Sequence, residues 1–151
     1  MNAKSLTCAL LFAAAPFLVV LPQASFADEP AASQAHPSHL KVVFQVSDND
    51  PGKWNLTLNN AFNAQREFGA NGIDIEIVAY GPGINMLKFD SAVSGRIMDA
   101  LQKGIRVEAC QNTMRGMKLT PKDMLPNIGY VPSGVGEIIM KEQEGYAYIR
   151  P

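Results

Sequence analysis

Apolar and polar positions alternate along residues 39–151 in two rhythms, and their succession predicts the elements. Period two marks strands. It runs through His39–Val46, with Leu40, Val42, Phe44 and Val46 on one face, and through Ile73–Tyr80, with Ile73, Ile75, Ile77 and Ala79 on one face. A third strand has Ile105, Val107 and Ala109 alternating with Arg106, Glu108 and Cys110; Ile128–Val131 and Tyr146–Ile149 are two shorter ones. Helical 3–4 spacing links Trp54, Leu58, Ala61, Phe62 and Gln65 from Pro51 to Phe68. It also links Val93, Ile97, Ala100 and Leu101 from Ser91 to Lys103, and Val135, Ile138, Ile139 and Glu142 from Ser133 to Glu144. Asp50 before Pro51, Asp90 or Ser91, Thr120 with Asp123, and Ser133 are the predicted helix caps, and Gly69, Gly104 and Gly145 the stops. Gly81-Pro82-Gly83 reads as a plain turn, because the glycine spacing and the lysine of a phosphate loop are missing, and Ile84–Phe89 reads as irregular.

This order predicts an α/β fold: a mostly parallel sheet of about five strands flanked by helices. Strands covered on both faces read as continuous apolar runs, but these alternate. One sheet face is therefore expected to be only partly covered, or covered by another subunit. Tyr146, Tyr148, Met114, Met117 and Met124 are the candidate contact residues, with ordinary core filling as the alternative.

The residues before the domain have another character. A basic start containing Lys4 leads into the apolar run Leu6–Leu21, and Ala24-Ser25-Phe26-Ala27 closes it with small residues. This layout predicts a cleavable signal peptide, residues 1–27, and export to the periplasm. The run is short for a membrane span and no second one follows, so no membrane association is expected after cleavage. Residues 28–38 are aperiodic and carry two prolines, which predicts a flexible leader before a single domain at 39–151.

Cleavage changes the chemistry. The chain has 13 basic and 14 acidic residues; losing Lys4 leaves 12 against 14, a net charge of −2 and no footprint for nucleic acid. Cys8 also leaves, so Cys110 is the one cysteine of the mature chain and cannot form an internal disulfide. His36 and His39 belong to the leader region, where no ligand cluster supports a metal, and Asp48 and Asp50 suit capping better than calcium binding. No metal or cofactor is expected.

Cys110 closes the third strand on the side of Arg106 and Glu108, where a helix starting near Asn112 would favour thiolate over thiol. Arg115 and Arg106 would lower the thiol pKa by charge and Glu108 would raise it. Without a histidine in the body of the domain, a Cys–His hydrolase is not expected; without a second cysteine, neither is a C-x-x-C oxidoreductase. A single thiolate can carry sulfur as a persulfide or sense oxidation, while the plain alternative is a semi-buried structural cysteine.

Several stretches in this order resemble the DsrE/DsrF/TusD sulfur-relay family, most closely its exported single-domain branch. They are Val43–Asp48 leading to Trp54-Asn55-Leu56, Val78–Gly83, Glu108–Met114, Val131–Val135 and Gly145–Tyr148. The resemblance implies a three-layer DsrE-like fold assembled as trimers or hexamers. It also implies sulfur donor and acceptor proteins as partners, and a persulfide-carrying cysteine that maps onto Cys110. Asn55, Asn59, Asn112, Thr113 and Arg115 are candidates to line its pocket by their placement. The two function classes are thus a periplasmic sulfurtransferase-like carrier and a non-catalytic oligomeric binding module with an incidental cysteine.

Overall fold

The structure is a computed structural model and describes residues 39–151. The expected signal peptide and leader lie outside the described residues. Five strands, β1 (Leu40–Val46), β2 (Ile73–Ala79), β3 (Arg106–Cys110), β4 (Gly129–Val131) and β5 (Ala147–Ile149), form one parallel sheet in the order β4-β3-β2-β1-β5. Four α-helices connect them: α1 (Pro51–Phe68), α2 (Ser94–Gln102), α3 (Gln111–Gly116) and α4 (Gly134–Gln143). Two 3-10 turns, Gly81–Leu87 and Pro121–Asp123, complete the elements of the described residues. Among the described residues no helix is long and apolar enough to cross a membrane.

The two sheet faces differ in depth. Leu58 and Ala61 of α1 and Ile97 and Ala100 of α2 bury against Phe44, Ile75, Ile77, Val107 and Ala109, forming the main core. Among the described residues the other face has only α4, whose Ile138 meets Val43, Val78 and Tyr146 in a small second core. This asymmetry explains the alternating strands: one side of each is fully apolar, the other carries Glu76, Arg106 and Glu108.

α1 begins where Asp50, extended at φ −137°, accepts hydrogen bonds from Gly52 N at 2.7 Å and Lys53 N at 3.4 Å, with Pro51 in the first turn. Asp50→Ala leaves both amides to water and is expected to cost about 1 kcal/mol. Urea denaturation reads this as a lower midpoint at unchanged slope, with Asp50→Asn close to wild type.

Three local expectations need correction. α2 starts at Ser94 behind Val93, which makes no side-chain cap, so neither Asp90 nor Ser91 caps it; Ser91 Oγ instead accepts from Val93 N at 3.3 Å in a buried turn. Ile84–Phe89 is largely the 3-10 helix Gly81–Leu87, which opens where Gly83 passes so close to Val46 O that a Cβ there has no room. On α4 the buried line is Gly134 and Ile138, whereas Val135 and Ile139 are exposed. Two 3–4 stripes compete on that helix, and the more apolar one faces away from the sheet. Of the expected contact residues, Met114, Met124 and Tyr146 are core; Met117 and Tyr148 stay exposed.

Candidate functional site

β3 ends where its last residue becomes the cap of the next helix. Cys110 is extended at φ −70° and ψ 112°, and its Sγ accepts the Thr113 amide at 3.5 Å, a sulfur doing the work of a serine or aspartate oxygen. Asn112 N reaches back to Pro132 O at 3.3 Å, which ties the start of α3 to the chain leaving β4. That tie brings Gly134, the first residue of α4, up to the same sulfur.

The hydrogen bonding around the sulfur is directional. Thr113 Oγ1 accepts Gly81 N–H at 2.9 Å, so its own proton is free to point at Cys110. Burial pushes the thiol pKa up. The Thr113 hydroxyl and the amides of Thr113, Gly134 and Asn112 pull it down further, so it lies below that of an ordinary thiol. The arginines expected to do this do not: Arg106 bonds Glu76 at 3.0 Å lower on the strand, and Arg115 holds the Asn112 side chain on the outside of α3. Neutral donors, not charges, set the preference for the anion.

Tyr80 completes the surroundings. It follows β2 at the register of Cys110, since Ala79 pairs with Ala109. Its ring lies against Gly134, where an added Cβ would fall 2.8 Å from Tyr80 Cβ and 3.0 Å from Cδ1. Burial raises the Tyr80 pKa, as do Tyr148 and the charge of Cys110, while Arg150 opposes them. Together these residues leave Cys110 only 4% exposed. The thiol is disposed to ionise, but a donor reaches it only when its cover moves.

Of the residues expected around the cysteine, Thr113 lies on it by side chain and backbone, and Asn112 by its amide alone. Arg115 is exposed beside it. Asn55 and Asn59 are elsewhere: both accept from Arg96 of α2, Asn59 at 2.7 Å, on the face of the sheet opposite α4. Sequence reading missed Gly81, Tyr80 and Gly134, though all three lie within stretches that carry the family resemblance. His39 precedes β1 and bonds Asp74 at 2.9 Å. In a parallel sheet that is the end away from Cys110, so the two cannot form a dyad. Asp48 is engaged by Lys53 at 2.9 Å and Arg150 at 3.3 Å.

The comparisons agree with this architecture. The chain is similar to protein MTH1491 of Methanobacterium thermoautotrophicum, a protein of unknown function, at 37% identity and a TM-score of 0.71, covering 74% of this chain and 99% of that one. BT1422 of Bacteroides thetaiotaomicron, also of unknown function, shares the fold at 20% identity and a TM-score of 0.62, over 74% of this chain and 94% of that one. The ychN protein of E. coli shares it at 11% identity and a TM-score of 0.62, over 74% and 99%. No curated protein matches the chain. The family model described as DsrE/DsrF-like matches residues 40–151, the whole sheet with Cys110 in it, and the chain therefore belongs to the DsrE/DsrF-like family, a family of sulfur-relay type.

Proposed function

We propose that the protein is an exported, periplasmic sulfur carrier that holds sulfur as a persulfide on Cys110 and passes it between a donor and an acceptor protein. The observation that carries this reading is the hydrogen bond of the Thr113 amide to the sulfur at 3.5 Å, beside which the Thr113 hydroxyl and the Gly134 and Asn112 amides lower the thiol pKa. Those donors stabilise a sulfur anion, which is the charge state of both the attacking thiolate and the bound persulfide.

The loading step balances without a redox cofactor. The Cys110 thiolate attacks the outer, sulfane sulfur of a donor such as thiosulfate; a new S–S bond forms to Cys110 as the donor's S–S bond breaks. The bonding electron pair leaves with the departing sulfite, and the product is Cys110–S–S⁻. Unloading is the same step with an acceptor thiolate attacking the outer sulfur and Cys110 leaving as thiolate. The near-complete cover of Cys110 keeps a loaded sulfur from water and stray thiols until a partner displaces that cover.

Intact-mass spectrometry after exposure to thiosulfate or polysulfide tests the reading. Wild type is expected to gain about 32 Da, one sulfur, reversed by a thiol reductant, and Cys110→Ser to gain nothing. The burial of Cys110 favours the second reading, a binding module in which the sulfur is only the cap of α3. Absence of any adduct, together with alkylation slower than that of an unstructured thiol at the same pH, decides for that module.

A further inference from the structure

The surface beside Cys110 divides by charge. α4 and its cap carry Glu137, Glu142 and Glu144 against Lys141, whereas the stretch from Cys110 to Lys122 holds Arg115, Lys118 and Lys122 and no acid. Among the described residues none of these three cations makes an ion pair. Arg115 bonds the neutral side chain of Asn112. Asp123, the next acid along the chain, has turned its carboxylate to Thr120, accepting from its amide at 2.7 Å and its hydroxyl at 2.8 Å. Lys118 stands at φ 57°, a left-handed conformation that favours glycine. A lysine there keeps a charged side chain where the backbone asks for none.

The same stretch folds around a cleft of about 270 Å³. Met114, Leu119, Pro121 and Tyr130 give it an apolar lining, and Gln111 and Arg115 line it from the exposed side of α3. Leu119 is fixed by its amide, which donates to Met114 O at 2.8 Å and closes the end of the helix. Lys118 and Lys122 are exposed and adjoin Leu119 and Pro121 in the chain. The cleft starts at Gln111, one residue past the sulfur-bearing Cys110. It suits an apolar side chain, and the cations about it suit carboxylates. A small ligand would need its charge partners inside the cleft. Only Arg115 among the cations lines it, so the occupant must extend beyond it to meet Lys118 and Lys122.

We propose that this cleft is where the acceptor protein docks, through an acidic segment with one apolar anchor, an inference that rests on the reading of Cys110 as a sulfur carrier. The anchor fills the space between Met114, Leu119 and Tyr130, and the carboxylates beside it meet Arg115, Lys118 and Lys122. Charge selects this partner. A surface that is basic along α3 and acidic along α4 draws an acidic segment to the first and repels it from the second. α3 has six residues and is about 9 Å long, a distance that about three residues of extended chain cover. That spacing brings an acceptor thiol from the anchor to Cys110. The amides of Thr113 and Asn112, in the first turn of α3, act on the buried sulfur. A partner that grips α3 therefore holds an element that covers the thiol.

Fluorescence anisotropy on Cys110→Ser, which keeps a capping oxygen for α3, tests the docking apart from any sulfur chemistry. The probe is a short fluorescein-labelled peptide with a leucine set among glutamates and a cysteine about three residues away. It is expected to bind, more weakly as salt rises, and the same peptide with lysines for glutamates is expected not to bind. Lys118→Glu with Lys122→Glu is expected to weaken binding by about tenfold or more. Arg66→Glu with Lys103→Glu, equally exposed at the ends of α1 and α2, alters the net charge as much and is expected to leave binding unchanged. No binding of the acidic peptide, or an equal loss in both pairs, overturns the proposal. So does heparin competing as well as the peptide, which makes the cleft a general polyanion site. Self-association of wild type that Lys118→Glu with Lys122→Glu abolishes gives the cleft to a second copy and also overturns it. Sulfur loading of wild-type Cys110 is read separately by mass. Loading without peptide binding refutes this proposal alone; binding without loading refutes the carrier reading and the acceptor's place here with it.

Discussion

Gly134→Ala is expected to disturb both the fold and the thiol. A methyl group at this position meets Tyr80 Cβ at 2.8 Å and Cδ1 at 3.0 Å, so either the ring or the start of α4 must shift. Overpacking of this kind costs about 1–3 kcal/mol. If α4 moves, its first amide is drawn off Cys110 and the thiol pKa rises, since that amide is one of the groups holding it down. One pKa unit makes the thiolate roughly tenfold scarcer well below the pKa. Urea denaturation and the pH profile of alkylation measure the two effects. Adding Tyr80→Ala removes the obstruction and is expected to return the alkylation midpoint towards that of Tyr80→Ala alone. A single variant that matches wild type on both measures would show that the ring does not press on α4.

Thr113→Val keeps the shape of the side chain and removes a hydroxyl that works twice. The Gly81 amide loses its acceptor at 2.9 Å, and the sulfur loses its leading donor. Leaving a buried donor unmade costs about 1–3 kcal/mol, while Thr113→Ser restores both bonds and should recover most of it. The pH dependence has a definite sign. Wild-type Cys110 has a folded pKa below its unfolded value, so the thiolate adds stability that is complete above the unfolded value, near ~8.5, and is lost as pH falls through the folded value. In Thr113→Val that window narrows and the midpoint of alkylation moves up. An unchanged midpoint would mean that the hydroxyl proton points elsewhere.

Most of the fold was legible because its signals are local. Asp50-Pro51 and Gly69 bracket α1, and the period-two runs of β1 to β3 place the main core on the correct side. Site geometry was less legible, since it depends on which sheet face each helix covers. Asn55 and Asn59 lie in the first half of a helix that follows β1, close in sequence terms to where a ligand would bind, but α1 lies on the face opposite α4. Arg115 is two residues beyond Thr113, yet α3 turns it outward to Asn112. Gly134 acts on the sulfur across the bond of Asn112 N to Pro132 O, a pairing between segments some twenty residues apart that no local pattern encodes.

The last strand also bears on how the molecule comes to be made. β5 pairs with β1, Val42 opposite Ala147 and Phe44 opposite Ile149, so the first strand of the sheet has no outer neighbour until β5 arrives. A contact between segments so far apart in the chain is slow to form. Until β5 docks, the edge of β1 stays open, and an unpaired edge is prone to join another chain.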